Sequence, residues 1–414
     1  MAIHGEITPP GDKSISHRAF MLGGLARGTT VVRNALESDD VRSTRGAVQA
    51  LGVDIHKDGD AYLVRGSMPS EPLTVIDAGN SGTTARLICG ILAGMDGVAA
   101  ITGDSSLVRR PMARIIRPLE SMGARFMARH NGYLPMAVSG GKLQGISHTM
   151  EVASAQVKSA LLLAGLRAKG ETRITEPSLS RDHTERMLRF FGADIRQGSG
   201  VVSLSGGQEL EARNIVVPGD PSSAAFPVVW AAATPGSEIM VRNVCLNPTR
   251  TGFLEVLERM GAKISRENIR EEAGERIGDL VIRGSRLQAA SIAGEEIPRL
   301  IDEIPILVVA GCLAEGTTTI RDSAELRVKE TDRISAMAQG LSSLGARIEE
   351  LDDGLDVHGP VRLSPGHVRT FSDHRIAMSF HILSKACAME IILDDRDCVG
   401  ISYPGFFEAM ESLG

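Results

Sequence analysis

Apolar and polar positions along this chain fall into two interleaved rhythms. One has period two and flanks Asp-Gly, Asn-Gly or Gly-Ser-Gly turns, as in GVDIHKDGDAYLVRG (52–66) and GADIRQGSGVVSLSG (192–206). It predicts β-hairpins. The other is helical. Ile15, Ala19, Leu22 and Ala26 recur at a 4-3-4 spacing and predict a helix with one apolar face. That helix opens at Gly11-Asp12-Lys13-Ser14-Ile15-Ser16-His17-Arg18, behind a strand-like run from Ile3 to Thr8 and a Pro9-Pro10 stop.

The pattern repeats. A helix ending in an apolar residue plus glycine recurs at Leu51-Gly52, Met122-Gly123, Phe191-Gly192, Met260-Gly261, Leu344-Gly345 and Leu413-Gly414, at intervals of 71, 69, 69, 84 and 69 residues. A hairpin follows each of the first five. An earlier helix opens each repeat, at GDKSISHRAF, GNSGTTARLI, ASAQVKSALL, GDPSSAAFPV, IDEIPILVVA and SDHRIAMSFH. Each repeat therefore reads strand–helix–strand–helix–strand–strand, long enough to build a layer rather than one turn of a solenoid. The sixth stops at its glycine. The spare strand is the N-terminal one, which is expected to pair beside the sixth repeat. Three repeats per domain is the symmetric split, with domains at 12–218 and at 1–11 plus 219–414.

Composition narrows the class. At 414 residues two domains are expected. No apolar run approaches a membrane span and no basic-then-apolar leader opens the chain, so no membrane partner is expected. Five scattered cysteines read as reduced core residues of a cytoplasmic protein. A net charge of −6, three Tyr and one Trp argue against a nucleic-acid partner.

Against that acidic background, cations gather at helix starts. Lys13, Arg18 and Arg375 sit where the helix dipole disfavours positive charge unless an anion is present. Arg110, Arg181, Lys329 and Arg333 stand at the starts of second helices. Residues at equivalent loop positions of different repeats point to a cleft between the two domains that binds several phosphate or carboxylate groups. Asn80, Ser81, Thr83 and Ser154 read as caps or as polar groups around Gly82, which permits close backbone approach. For Asp220 and Ser222 capping is the expected role. Asp302-Glu303 and Glu330 lie among the cations, either as general acid/base groups or as counter-ions. Ten scattered histidines without an H-E-x-x-H or Cys/His cluster give no metal site. No P-loop and no G-x-S-x-G elbow occurs, and the lack of a strand–GxGxxG–helix fingerprint counts against a dinucleotide cofactor.

PGDKSISHRA, DAGNSGTTARL, RRPM, SAQVKSALL, LIDEIP, LRVKETDR and SDHRIAM occur in an order that resembles the EPSP synthase (3-phosphoshikimate 1-carboxyvinyltransferase) family over nearly the whole chain. The resemblance implies two similar α/β (α+β) domains of three repeats each, inside-out barrels of the enolpyruvyl transferase kind, closing on substrate as a monomer. It implies that phosphoenolpyruvate and shikimate 3-phosphate give 5-enolpyruvylshikimate 3-phosphate (EPSP) and phosphate, without cofactor. By motif, Lys13, Ser14, Arg18, Ser154, Ala155, Gln156, Arg181, Asp302 and Lys329 resemble the shikimate 3-phosphate site. Lys13, Gly82, Arg110, Gln156, Arg333 and Arg375 resemble the phosphoenolpyruvate site. Asp302 resembles the family's proton acceptor, and Glu330 and Lys13 the groups that handle the methylene proton.

Three positions depart from the family pattern. Ile401 stands where many members carry a lysine, Ser81 where alanine is common and Leu87 where proline is common. Retention of Gly82 points to inhibition by glyphosate, and Ser81 and Leu87 stand against it. The nearest alternative is UDP-N-acetylglucosamine 1-carboxyvinyltransferase. That family usually carries a reactive cysteine in the loop that here reads Thr102-Gly103-Asp104-Ser105-Ser106-Leu107-Val108-Arg109-Arg110, without one. A non-catalytic repeat clamp would require alike chemistry in every repeat, and the repeats differ in Lys, Arg, Asp and Gln.

Overall fold

The computed structural model describes residues 2–413. Its helices pair off along the chain, two to a repeat: α1 (Lys13–Leu25) and α2 (Asp39–Ala50), α3 (Gly82–Ala93) and α4 (Ala113–Met122), α5 (Ala155–Gly165) and α6 (His183–Phe190), α7 (Pro221–Ala233) and α8 (Gly252–Arg259), α9 (Ile304–Leu313) and α10 (Arg333–Ser343), α11 (His374–Cys387) and α12 (Phe406–Glu411). The six first helices begin where the sequence pattern puts them. Helix α1 ends one residue earlier than its apolar spacing predicts, because Ala26 is already extended and pairs with Leu210.

The chain divides into two units. Unit 1 runs to Pro10 and takes in Pro218–Arg270 and everything from Arg276 onward; unit 2 is Gly11–Val217 with Glu271–Glu275. Among the described residues no helix is long and apolar enough to cross a membrane.

The sheets repeat one order. In the second repeat Ile76–Asp77 runs parallel to Val98–Thr102, which pairs antiparallel with Tyr133–Ser139, and that strand pairs with Arg125–Arg129 at the edge. The third and fifth repeats follow the same order. The first and fourth exchange their leading strands. His4–Ile7 pairs parallel with Glu238–Cys245 of the fourth sheet, and Asn214–Val216 pairs parallel with Thr29–Arg33 of the first. The expectation that the N-terminal strand lies beside the sixth repeat is thereby corrected. Asn214–Val216, next before α7, is committed to the first sheet, so the leading place of the fourth is open. His4–Ile7 fills it, with Ile3 and Ile7 buried in the same apolar core as α7. Its tie to the sixth repeat is a main-chain bond from His4 N to Leu413 O, 3.2 Å. The sixth sheet has two strands, Gly366–Val368 and Ile391–Leu393.

Why these helices sit inside follows from their composition. Every residue of α9 from Ile304 to Cys312 and of α7 from Pro221 to Ala232 is buried. A helix that is apolar all round must be covered all round. In unit 1, α7, α9 and α11 pack on one another; in unit 2, α3 packs on α1 and α5. The sheets lie outside with one face wet, so each unit is an inside-out α/β barrel. Each fully buried Leu, Ile or Phe contributes about 1.5–3 kcal/mol to such a core.

Glycines join the pieces. The repeat glycines Gly52, Gly123, Gly192, Gly261 and Gly345 all have φ between 90° and 114°, the left-handed conformation that ends a helix. A second set, Gly66, Gly140, Gly206, Gly284 and Gly359, stands where each hairpin's second strand ends. A β-carbon there would lie 1.8–2.3 Å from a main-chain carbonyl oxygen.

Candidate active site

In unit 2 the site residues cluster at the starts of α1, α3 and α5. Asp12 caps α1, accepting from Ile15 N at 2.8 Å. Lys13 is the first residue of that helix, and its ammonium meets the Asp40 carboxylate at the start of α2, 3.0 Å away. The chain thus supplies an anion for Lys13 from 27 residues downstream. Ser14 presents its carbonyl to Arg18 Nη1 at 2.9 Å. Arg18 is buried and donates further to Thr184 Oγ1 (2.7 Å) and Ser159 Oγ (2.9 Å). All three acceptors are neutral. Burial lowers the Arg18 pKa to about 10, offset in part by Glu185 and Asp12, while the charge of Arg181 lowers it further. His17 is buried against Thr44 Oγ1 at 2.6 Å. Burial, then Lys13 and Arg18, hold its pKa well below the ordinary value, so it is neutral.

Around Gly82 the expected caps divide their work. Ser81 is the cap of α3, buried, accepting from Thr84 N (3.1 Å) and Thr84 Oγ1 (2.7 Å). Its hydroxyl is turned into the helix start. Leu87 is buried in the core. Asn80 and Thr83 are not caps. Asn80 accepts from Arg110 Nη2 at 2.9 Å, and Thr83 Oγ1 accepts from Gln156 Nε2 at 3.1 Å. Ser154 caps α5, accepting from Val157 N at 3.5 Å, and Ala155 is its first residue. Arg86, one turn along α3 from Gly82, ties the group together. Its Nη1 donates to Gln156 Oε1 at 2.9 Å, and a β-carbon on Gly82 would lie 2.7 Å from that nitrogen and 3.5 Å from Arg110 Nη1.

In unit 1 the second group gathers at the starts of α9, α10 and α11. Asp302 lies in the 3-10 turn Ile301–Glu303 that leads into α9. Its carboxylate stands 3.5 Å from Arg333, 3.8 Å from Lys329 and 4.0 Å from Arg375. Arg333, the first residue of α10, also pairs with Glu330 at 2.6 Å. Arg375 Nη1 donates to the Asp302 carbonyl at 2.9 Å. Burial works against the charge on Arg333, but Asp373, Glu330 and Asp302 outweigh it and its pKa is raised. Asp220 caps α7, as expected, and also meets Arg250 at 3.0 Å. Ser222 is no cap: its hydroxyl donates to Glu303. Ile401 closes the 3-10 turn Asp397–Ile401 and packs on the apolar core.

The structure thus brings Lys13, Ser14 and Arg18 to one helix start, Gly82 and Gln156 beside Arg86 with Arg110 also near Gly82, and Lys329, Arg333 and Arg375 around the Asp302 carboxylate, with Glu330 paired to Arg333. Sequence reasoning missed Asp40, Arg86, Ser159, Thr184 and the pairing of Asp373 with Arg333. For Arg86 a signal existed in its spacing of four residues from Gly82 on a helix. Chemically, a carboxylate ringed by cations can take a proton from a bound hydroxyl while those cations hold a substrate's own anions.

Known proteins share this chain from end to end. The family model for EPSP synthase (3-phosphoshikimate 1-carboxyvinyltransferase) matches residues 1–410. The 3-phosphoshikimate 1-carboxyvinyltransferase of Geobacter metallireducens is 50% identical over 415 residues, covering 99% of this chain and 97% of the relative. That of a Synechococcus strain is 52% identical over 419 residues, covering 99% and 94%. The solved EPSP synthase of Acinetobacter baumannii superposes with a TM-score of 0.89 at 42% identity, covering 100% of this chain and 96% of the other.

Proposed function

This chain belongs to the EPSP synthase family and carries out the enolpyruvyl transfer of the shikimate route to aromatic amino acids, and we propose the following division of labour among its residues. The observation that carries it is the Asp302 carboxylate with Lys329, Arg333 and Arg375 within 4.0 Å. Asp302 takes the proton of the shikimate 3-phosphate 5-hydroxyl as its oxygen attacks C2 of phosphoenolpyruvate. The methylene carbon gains a proton from Glu330 or Lys13, giving a tetrahedral intermediate with a carboxylate and a phosphate on one carbon. Loss of that proton and of phosphate then yields EPSP.

The anions are held by cations whose own partners are already arranged. Arg18, with three neutral acceptors, keeps its charge for shikimate 3-phosphate, together with Arg181, Ser14, Ser154, Ala155, Gln156 and Lys329. Phosphoenolpyruvate is held by Lys13, Gly82, Arg110, Gln156, Arg333 and Arg375. Preset donors of this kind stabilise the charge that develops on the departing phosphate. Glyphosate competes with phosphoenolpyruvate, because Gly82 leaves room beside Arg110 and Ser81 points away from it. The protein works as a cytoplasmic monomer.

One assay tests the reading: phosphate release from phosphoenolpyruvate with shikimate 3-phosphate or with UDP-N-acetylglucosamine as acceptor. Release is expected with the first alone. Release with the second, or with neither, overturns it.

A further inference from the structure

Between the strand Glu171–Thr175 and α6 runs a loop, 176–182, that no sheet or helix fixes and that carries Arg181. Its start is tied by Glu176 N to Gly200 O, 2.9 Å. Beyond it Pro177 and Leu179 are exposed, and the loop turns back inward at Ser180, which is buried.

Ser180 is gripped on both sides of its peptide unit. Glu176 Oε2 accepts from Ser180 N at 3.2 Å and from Ser180 Oγ at 2.6 Å. Lys158 Nζ, on α5, donates to the Ser180 carbonyl at 3.4 Å and to Glu176 Oε1 at 2.8 Å. The same ammonium meets Glu185 Oε1 of α6 at 2.8 Å. The three charged side chains are shut away from solvent. Such buried ion clusters are poor stabilisers compared with apolar residues of the same volume. What this one supplies is position: it fixes the residue next to Arg181 to two helices at once. The residue after Lys158 does the corresponding work for the other cation, since Ser159 Oγ meets Arg18 Nη2 at 2.9 Å and Thr184 Oγ1 at 2.6 Å.

We propose that Glu176, held by Lys158, is a positioning residue for Arg181, setting where its guanidinium meets the phosphate of shikimate 3-phosphate. The proposal rests on the assignment of Arg181 to that substrate. Glu176 touches no substrate itself; its carboxylate turns a loop without secondary structure into a rigid mount. Charge-assisted hydrogen bonds of this geometry are the strong ones, and a ligand displaced by even a fraction of its hydrogen-bond length loses most of its effect.

The test is a double-mutant cycle read in steady-state kinetics. Glu176→Gln keeps the shape and the bond to Lys158 but loses acceptor capacity toward Ser180. It is expected to raise KM for shikimate 3-phosphate by about tenfold, the equivalent of one charge-assisted bond, with kcat and KM for phosphoenolpyruvate within about twofold of the parent. In an Arg181→Ala background the same substitution should add nothing further. If Arg181→Ala alone leaves KM for shikimate 3-phosphate unchanged, the assignment of Arg181 falls. If Arg181→Ala raises it and Glu176→Gln does not, the positioning role falls and the assignment stands. Full, independent effects in the double variant also overturn it, since they mark a general structural role. Should Glu176→Gln yield no folded protein, Ser180→Ala, which removes one bond of the same grip, enters the cycle in its place with the same required non-additivity.

Discussion

Arg333 and Asp373 are joined by two hydrogen bonds, Nε to Oδ2 at 2.8 Å and Nη2 to Oδ1 at 3.3 Å, and both side chains are buried. The same carboxylate caps α11 through Arg375 N at 2.9 Å. One acid therefore aims one arginine of the candidate site and starts the helix that carries another. Asp373→Asn keeps the shape and leaves a buried guanidinium short of its main counter-charge. The unfolding free energy in chemical denaturation is expected to fall by about 3 kcal/mol, as when one partner of a buried pair is removed. A fall below about 1 kcal/mol would show that Glu330 and Asp302 suffice to hold Arg333.

Asp302 is placed differently. Its cationic neighbours have other partners, Asp373 and Glu330 for Arg333 and Glu325 for Lys329, so removing its carboxylate strands none of these charges. Asp302→Ala is expected to fold normally by circular dichroism and to lower turnover by roughly 10²-fold or more. Near-normal phosphate release would take Asp302 out of the chemistry.

Gly82→Ala puts a methyl group 2.7 Å from Arg86 Nη1. That nitrogen is the far end of a flexible side chain, so the guanidinium swings aside at little cost to stability. In doing so it gives up Gln156 Oε1. KM for phosphoenolpyruvate is expected to rise about fivefold, the worth of one hydrogen bond, and by more than KM for shikimate 3-phosphate. An unchanged KM for phosphoenolpyruvate would separate Arg86 from the site.

His381 lies edge-on to Phe406 and Phe407. Burial, then Lys385 and Arg396, lowers its pKa from 6.5 to about 4. Between those values the unfolded chain binds the proton that the folded chain refuses, so stability is lost as pH falls below 6.5, and the loss levels off near 4. His381→Phe should flatten this acid limb in melting temperatures measured from pH 7 to pH 4.5. Parallel curves for variant and parent would assign the limb to other groups, His17 first among them.

What could be read from the sequence was local. The hairpins were legible because alternation and turn residues lie within fifteen residues of each other, as in 52–66. Ser81, Ser154 and Asp220 were legible as capping types beside apolar runs, whereas the capping by Asp12 and Asp373 shows only in the structure. Partnerships across the chain were not. Nothing near Lys13 points to Asp40, nothing near Arg18 points to Ser159 or Thr184, and the leading strand His4–Ile7 carries no mark that sends it to the fourth sheet rather than the sixth. Those choices are made by packing at long range, which single-residue propensities do not encode.

The glycines that close the hairpins have a consequence beyond geometry. At Gly66, Gly140, Gly206, Gly284 and Gly359 the obstacle to a side chain is a main-chain oxygen, which no change of rotamer can move aside. The repeats differ from one another in charge and in the chemistry they contribute. At these five points they have all been denied the same atom. What the repeats hold in common at these points is a β-carbon that none of them has room to carry.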